Sequence, residues 1–111
     1  MIIIMKMVLA IIDKDDASGV ISNLSREGFM VTRLSTTGGF LRAGNVTILI
    51  GVDDDKTQDV INVIKEHSRS RSQQIPTMMG NEASYLSPMP VEVSVGGATI
   101  FVLNVEQFEK V

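Results

Sequence analysis

The segment 36–45, with the sequence TTGGFLRAGN, holds residue types that suit binding chemistry more than a simple chain reversal. Glycines have no Cβ, so backbone N–H groups in such a segment can approach a ligand and form an anion-binding concavity. Phe40 can stack on a base, and the amide of Asn45 can pair with an adenine edge. The alternative is a flexible hairpin connection whose Phe and Leu side chains pack in the core, because glycine clusters are commonly turns.

The rest of the sequence offers little catalytic chemistry. The chain has one histidine and no cysteine, and its Ser, His and Asp residues show no spacing typical of a triad. His67 falls on the apolar side of a predicted helix, where packing or a helix-dipole role explains it. Acidic clusters within 13–16 and 53–55 each precede a predicted helix and lack the features of an EF-hand loop, so capping explains them. We therefore predict no catalytic residue, no metal and no cofactor.

Length and composition indicate one globular domain. The chain has 111 residues, of which 44% are apolar and 21% charged, and its net charge is −3. This negative balance argues against binding to DNA, RNA or an anionic membrane, which requires a basic surface. The lack of cysteine fits a reducing cytoplasm. The apolar run 1–12 is too short to span a bilayer and is interpreted as a buried strand, with 1–4 as a possible extension before a second start at Met5.

The two halves of the chain repeat at an offset of forty residues. The matched pairs are Ile12 and Val52, Asp13 and Asp53, Asp15 and Asp55, Val20 and Val60, Ile21 and Ile61, and Leu24 and Ile64. Each half reads as an apolar run, an acidic break and a helix with one apolar face. We expect Asp15 or Asp16 to cap the first helix and Gly28 to end it, and Asp55 with Gln58 to form a capping box at the second.

Strands are predicted around both helices, at 6–12, 29–35, 45–52, 91–95 and 99–103. The pair Gly96-Gly97 predicts a hairpin between the last two strands. Two βαβ halves in one chain indicate an α+β fold, namely a ferredoxin-like split βαβ sheet (βαββαβ) with both helices on one face and an extra C-terminal strand.

The other face of this sheet is predicted to lie bare on a single subunit. We assign to it the apolar residues Phe29, Met30, Val31, Ile48 and Ile50. A surface this apolar predicts self-association with closed symmetry, and clefts between subunits favour ligand binding.

The sequence resembles the PII-like cyclic di-AMP receptors of Gram-positive bacteria from about residue 5 to residue 108. The resemblance is carried by segment 36–45, by PVEV at 90–93 and by GGATIFVL at 96–103. It implies a single PII-like domain over 1–111, with a ligand loop at about 35–45 and a long flexible loop at 68–90. It also implies a cytoplasmic homotrimer without enzymatic activity, which binds cyclic di-AMP in each of three inter-subunit clefts and signals to an unknown protein target by ordering its loops.

The resemblance implies a set of ligand contacts. They are Met30, Val31, Thr32, Gly39, Phe40, Leu41, Asn45, Gly51 and Phe101. The two phenylalanines are expected to offer aromatic surface to adenine, and Asn45 to read an adenine edge. Thr32 is expected to donate to a base or phosphate.

Two glycines and the pair 30–31 complete this expected site. Gly39 is expected to bring backbone amides close to a phosphate, and Gly51 to leave room for a base. Met30 and Val31 are expected to give backbone or packing contacts, and Met30 stands where the family often has a basic residue.

Two other functions remain open at this point. A PII-type regulator that binds ATP or ADP would share the fold, but those proteins have a longer loop after the second strand, commonly with a modifiable tyrosine, and the one tyrosine here is Tyr85. An acylphosphatase-like enzyme would need an anion-cradling loop after the first strand, where this chain is acidic.

Overall fold

The computed structural model describes residues 4–34, 44–75 and 91–111, and these form two helices and six strands. In chain order the elements are β1 (Met5–Asp13), α1 (Lys14–Arg26), β2 (Val31–Arg33), β3 (Asn45–Asp53), a 3-10 turn (Asp54–Lys56), α2 (Thr57–His67), β4 (Arg71–Ile75), β5 (Val91–Val95) and β6 (Ala98–Asn104). None of the helices in the described ranges is long and apolar enough to cross a membrane.

Four strands form one antiparallel sheet in the order β2-β3-β1-β6. Nine residue pairs join β1 to β3, from Met5 opposite Asp53 to Asp13 opposite Asn45, with no break in register. Strands β4 and β5 pair antiparallel in a separate two-stranded sheet, called the ribbon below. The α+β class and the antiparallel sheet with two helices are confirmed.

One face of the four-stranded sheet packs against both helices. The side chains that form this core are buried and come from alternating strand positions and from the apolar stripe of each helix: Val8, Ala10, Ile12, Ala17, Val20, Leu24, Val46, Ile48, Ile50, Val52, Val60, Val63 and Ile64. Equivalent members of the forty-residue repeat, such as Val20 and Val60, are both completely buried. The repeat therefore reflects two copies of one strand-and-helix unit that share a core.

Helix α1 ends next to Gly28, as the sequence predicts. Gly28 has a φ of 91°, a left-handed conformation that costs glycine little. Its N–H donates to Ser25 O at 3.0 Å, and the N–H of Phe29 donates to Leu24 O at 3.0 Å. These two bonds form a Schellman motif, which satisfies the last carbonyls of the helix and turns Phe29 back against the core.

The predicted helix caps are wrong in detail. At α1 the cap is Asp13, whose Oδ1 accepts from the N–H of Asp15 at 2.9 Å. At α2 the chain enters through the 3-10 turn that contains Asp55, and the residue before the helix, Lys56, makes no side-chain capping bond. The turn satisfies its first N–H groups by shorter-range bonds, so no capping box is needed.

Four of the five residues assigned to the bare face lie on the helix side instead, and the fifth, Met30, is exposed. Ile48 and Ile50 are completely buried on the helix side of β3, and Phe29 and Val31 pack against the same core. Because strand side chains alternate, the residues that face away from the helices are the odd-numbered positions of β1, β3 and β6. This helix-free face carries Met5, Met7, Leu9 and Ile11 from β1, Leu49 and Gly51 from β3, and Thr99, Phe101 and Leu103 from β6.

The predicted hairpin between 91–95 and 99–103 is also wrong. Strand β5 pairs with β4, whereas β6 pairs with β1 over seven residue pairs and so forms the edge of the main sheet. Strand β6 takes this place because the edge of β1 would otherwise leave its backbone groups unpaired. The segment 68–90, predicted as a long loop, contains strand β4, and the second predicted strand, 29–35, is reduced to Val31–Arg33.

Candidate functional site

Five of the nine predicted contact residues share the helix-free face. Thr32 lies opposite Leu49 on β3, and Phe101 lies opposite Leu9 on β1. Asn45 and Gly51 occupy odd positions of β3, so they share the face of Leu49. Met30 precedes β2 and lies next to Gly51 at the same end of the sheet, where both line one cavity.

Val31 does not belong to this face. Its Cα partner is Ile50, and its side chain packs against the buried core. Its backbone remains accessible from the edge of the sheet, and the ligand contact expected of Val31 stays a prediction. Gly39, Phe40 and Leu41 lie outside the described residues, so their contacts remain predictions.

The five residues divide between the two sides of the sheet, because four of them lie on or beside β2 and β3 and only Phe101 lies on β6. A row of partners runs from Thr32 through Leu49 and Leu9 to Phe101 and crosses all four strands. Three strand spacings separate its ends by about 14 Å. One base therefore cannot contact both Thr32 and Phe101 of the same subunit.

Along β3 the site is longer still. Asn45 and Gly51 are six residues apart on one face of one strand, which corresponds to about 20 Å. The Asn45 end is tied to the first turn of α1, because the N–H of Lys14 donates to Gly44 O at 2.7 Å. A ligand that reached both residues would have to be elongated.

Gly51 is open to the outside of the subunit. A Cβ placed there would meet only the Cε atom of Met5, at 3.8 Å, which is ordinary van der Waals contact. Neither backbone strain nor packing within the chain therefore explains a glycine here. The small residue instead keeps the surface of β3 accessible at this point.

The cavity beside Gly51 has a volume of about 300 Å³. Met5, Met30 and Phe29 give it apolar walls, and Lys56 is its cation. Lys56 sits where the 3-10 turn meets α2, so its ammonium group is brought to this end of the site by the chain that leaves β3. Asp53 also lines the cavity, so an anion bound here would need Lys56 to offset that carboxylate.

The remaining charged groups lie elsewhere. Arg33 has Ile48 as its Cα partner and so occupies the helix side of β2, away from Thr32. Lys6 closes the end of the core, where its Nζ donates to Asn104 Oδ1 and lies 4.0 Å from Asp54 Oδ1. In the described ranges no three His, Cys, Asp or Glu side chains are placed to hold a metal ion.

Comparison with known proteins identifies the family. Residues 5–111 match the model of a family described as cyclic-di-AMP receptor. The chain belongs to the cyclic-di-AMP receptor family. The match covers nearly the whole chain, so the resemblance carried by segments 36–45, 90–93 and 96–103 is confirmed for the family as a whole.

Two solved structures are similar to the chain over most of its length. A functionally unknown protein from Pediococcus pentosaceus is 36% identical, with 99% of this chain and 100% of that chain covered and a TM-score of 0.74. PII from Arabidopsis thaliana, solved with bound citrate, is 26% identical, with 91% of this chain and 74% of that chain covered and a TM-score of 0.53. The receptor thus has a PII-like fold.

Sequence reasoning missed three residues at the receptor's candidate site. Met5 and Lys56 line the cavity beside Gly51; the pairing of β1 with β3 places Met5 there, and the 3-10 turn after β3 places Lys56. Thr47 lies between Asn45 and Leu49 on β3, is buried, and has an Oγ1 with no hydrogen-bond partner. The alternation of β3 could have indicated that Thr47 shares a face with Asn45 and Leu49. The position of Lys56 depends on a 3-10 turn, which could not be recognised because the acidic run 53–55 was interpreted as a helix cap.

Proposed function

We propose that this receptor is a non-enzymatic sensor that binds cyclic di-AMP in the clefts between the subunits of a cytoplasmic homotrimer. The observation that carries the proposal is the division of the expected contacts between the β2–β3 side of the sheet and its β6 edge. Thr32, Gly51 and Met30 lie toward the β2 edge, and Phe101 lies on the β6 edge. Two subunits that meet edge to edge bring the two halves together.

The apolar content of the helix-free face supports assembly. Phe101 and Leu103 are about half exposed on the single chain, and Met7, Leu9 and Leu49 are partly exposed beside them. Burial of such a surface stabilises association by roughly 25 cal/mol for each Å² removed from water. A ring of three copies buries this face around a central axis and leaves three equivalent clefts.

Within each cleft the residues have separate roles. Phe101 stacks on one adenine, Asn45 pairs with an adenine edge, and Thr32 donates to a base or phosphate. Gly51 admits the second base, and the length of the site along β3 suits a ligand with two bases. Gly39, Phe40 and Leu41 of the segment 36–45 contact the ligand, and the ordering of the two long loops on binding is the signal passed to a protein target.

Titration calorimetry with cyclic di-AMP tests the proposal. We expect saturable binding with one ligand per subunit, and a sedimentation mass of three chains. ATP, ADP and cyclic di-GMP titrated under the same conditions distinguish this receptor from a PII-type regulator. Absence of binding at micromolar cyclic di-AMP, tighter binding of ATP, or a monomer in solution would each contradict the proposal.

A further inference from the structure

The ribbon of β4 and β5 is joined to the rest of the protein by two short crossings that touch each other. The chain enters the ribbon through Ser68–Ser70 and leaves it through Gly96 and Gly97. Gly97 has a φ of 93°, and a Cβ added to it would lie 3.3 Å from the Cβ of Ser70. The hydroxyl groups of Ser70 and Ser94 lie 2.9 Å apart within hydrogen-bond distance. The two crossings therefore form one packed unit, called the root of the ribbon below.

A cavity of about 480 Å³ lies at this root, between the last turn of α2 and the start of β6. This volume falls within the range of sites that hold small molecules. Ala98 and Ile100 form its apolar wall, and both lie on the helix side of β6, because their partners Ile12 and Ala10 belong to the core face of β1. The cavity is thus on the opposite side of β6 from Phe101.

Two cations border the cavity. Lys65 and Arg69 both line it, are exposed, and take part in none of the ion pairs found among the described residues. Ser70 lines the cavity as well. Its hydroxyl lies 2.9 Å from that of Ser94, and it can donate to an anion when it accepts the hydrogen bond from Ser94. Ser68 also lines it, but its Oγ is committed to the carbonyl oxygen of Ile64.

The charges around the cavity favour an anion. The C-terminal end of α2 contributes about half a negative charge, which two full positive charges outweigh. The neighbouring carboxylate, Asp16, is paired with Arg71, whose Nη1 lies 3.3 Å from Asp16 Oδ1. Guanidinium, ammonium and hydroxyl groups all donate hydrogen bonds to carboxylate and phosphate oxygens.

We propose that this cavity is a second ligand site, separate from the helix-free face, and that it takes a small anion with an apolar body. The carboxylate or phosphate group binds Lys65, Arg69 and the Ser70 hydroxyl, and the apolar body lies on Ala98 and Ile100. An occupant contacts residues of both crossings, Ser70 and Gly97, so it also fixes the ribbon against the main sheet.

Amide chemical shifts of the intact protein test this site with matched probes. Benzoate and phenyl phosphate carry an apolar ring and an anionic group, benzamide has the ring without the charge, and acetate has the charge without the ring. We expect benzoate, phenyl phosphate or both to shift the amide signals of Gly97 and Ala98 saturably. Benzamide and acetate should shift them at least about tenfold more weakly, because each lacks one half of the recognised chemistry. The ratio of benzoate to phenyl phosphate affinity tells a carboxylate site from a phosphate site.

A double variant, K65Q with R69Q, should weaken the binding of the anionic probe about tenfold or more. The matched control, K14Q with R26Q, removes the same charge from exposed positions on α1 and should leave probe binding unchanged. Equal shifts from benzamide, equal losses in the two double variants, or no saturable shift from either anion would overturn the proposal. Binding of cyclic di-AMP is measured in parallel, and its failure alone leaves this second site standing.

Discussion

Gly51 is a residue at which a substitution should weaken ligand binding without lowering the stability of the fold. Because a Cβ there meets only Met5 Cε at 3.8 Å, Gly51→Ala should leave the melting temperature unchanged or slightly higher, since glycine weakens a strand. The added methyl group enters the proposed base-binding space, so we expect cyclic di-AMP affinity to fall about tenfold in calorimetry. Gly19→Ala, on α1 with nothing within 4 Å, is the control. Equal affinity in both variants would remove Gly51 from the site.

Phe101 and Phe108 form a matched pair of exposed aromatic residues, 51% and 62% accessible. Only Phe101 lies on the helix-free face, so Phe101→Ala should weaken cyclic di-AMP binding by about 1–3 kcal/mol, the range for one base–aromatic stack. Phe108→Ala should bind as the wild type does. Both are compared by calorimetry at equal salt, and similar losses in the two variants would argue against stacking on Phe101.

Lys56 is expected to hold a phosphate of the ligand at the Gly51 end of the site, since it is the cation of that cavity. Lys56→Gln should lower the affinity for cyclic di-AMP about fivefold and reduce its dependence on salt concentration. Lys110→Gln, in the exposed C-terminal segment, removes the same charge away from the site. A salt dependence that is unchanged by Lys56→Gln would place the phosphate elsewhere.

At the scale of elements, an ion pair joins the ribbon to the first turn of α1. Arg71 reaches across to Asp16 in the first turn of α1, and the Asp16 side chain is only 10% exposed while that of Arg71 is 54% exposed. Because Arg71 is half exposed, the pair contributes no more than about 1 kcal/mol to global stability. Its effect is local, so Arg71→Gln should speed hydrogen exchange in β4 and β5 more than in β1 and β3.

The charge-swapped pair, D16R with R71D, provides the corresponding control. Restoration of slow exchange in the swapped protein would assign the effect to the ion pair. If Arg71→Gln leaves exchange in the ribbon unchanged, the packing of Gly96 and Gly97 holds it instead. Gly96 leaves little space in this region, since an added Cβ would lie 2.6 Å from Arg71 Nη1.

The elements that the sequence predicted well are those with a clear period. Both helices have apolar positions at helical spacing, and Gly28 ends the first because a positive φ is needed there. Strand β3 was located correctly, but Ile48 and Ile50 were assigned to the face away from the helices. The run 46–50 is apolar at nearly every position, so the sequence does not show whether its even or its odd positions face the helices. Strand β4, with the sequence RSQQI, has no alternation and forms only through its partner β5.

The candidate site was predictable only in part for the same reason. Thr32, Asn45, Gly51 and Phe101 were named through family resemblance, and the register places them on one face. No local pattern reveals that they divide between two edges, since strand order is decided by long-range pairing. Met5 joins the site through that same pairing, and Lys56 joins it through the 3-10 turn after β3.

At the scale of the whole molecule, assembly and binding are coupled in the proposed function. Leu49 is at the centre of the helix-free face, between Thr32 and Leu9, so Leu49→Lys should prevent assembly by placing a charge in an apolar interface. We expect sedimentation to show single chains with wild-type helical circular dichroism and no cyclic di-AMP binding. Val102→Lys adds the same charge on the helix side of β6 and should assemble normally. An assembled Leu49→Lys protein would show that subunits meet through another surface.

The first turn of α1 gathers contacts from three distant parts of the chain. The N–H of Asp13 donates to Gly97 O at 3.3 Å, that of Lys14 donates to Gly44 O at 2.7 Å, and Asp16 holds Arg71. Residues 13–16 thus contact the end of segment 36–45 at Gly44, the start of the ribbon at Arg71 and the segment that follows the ribbon at Gly97. In the proposed function, a displacement that begins at Gly44 therefore has to pass through only this one helical turn to reach the ribbon, and the core of the sheet need not change.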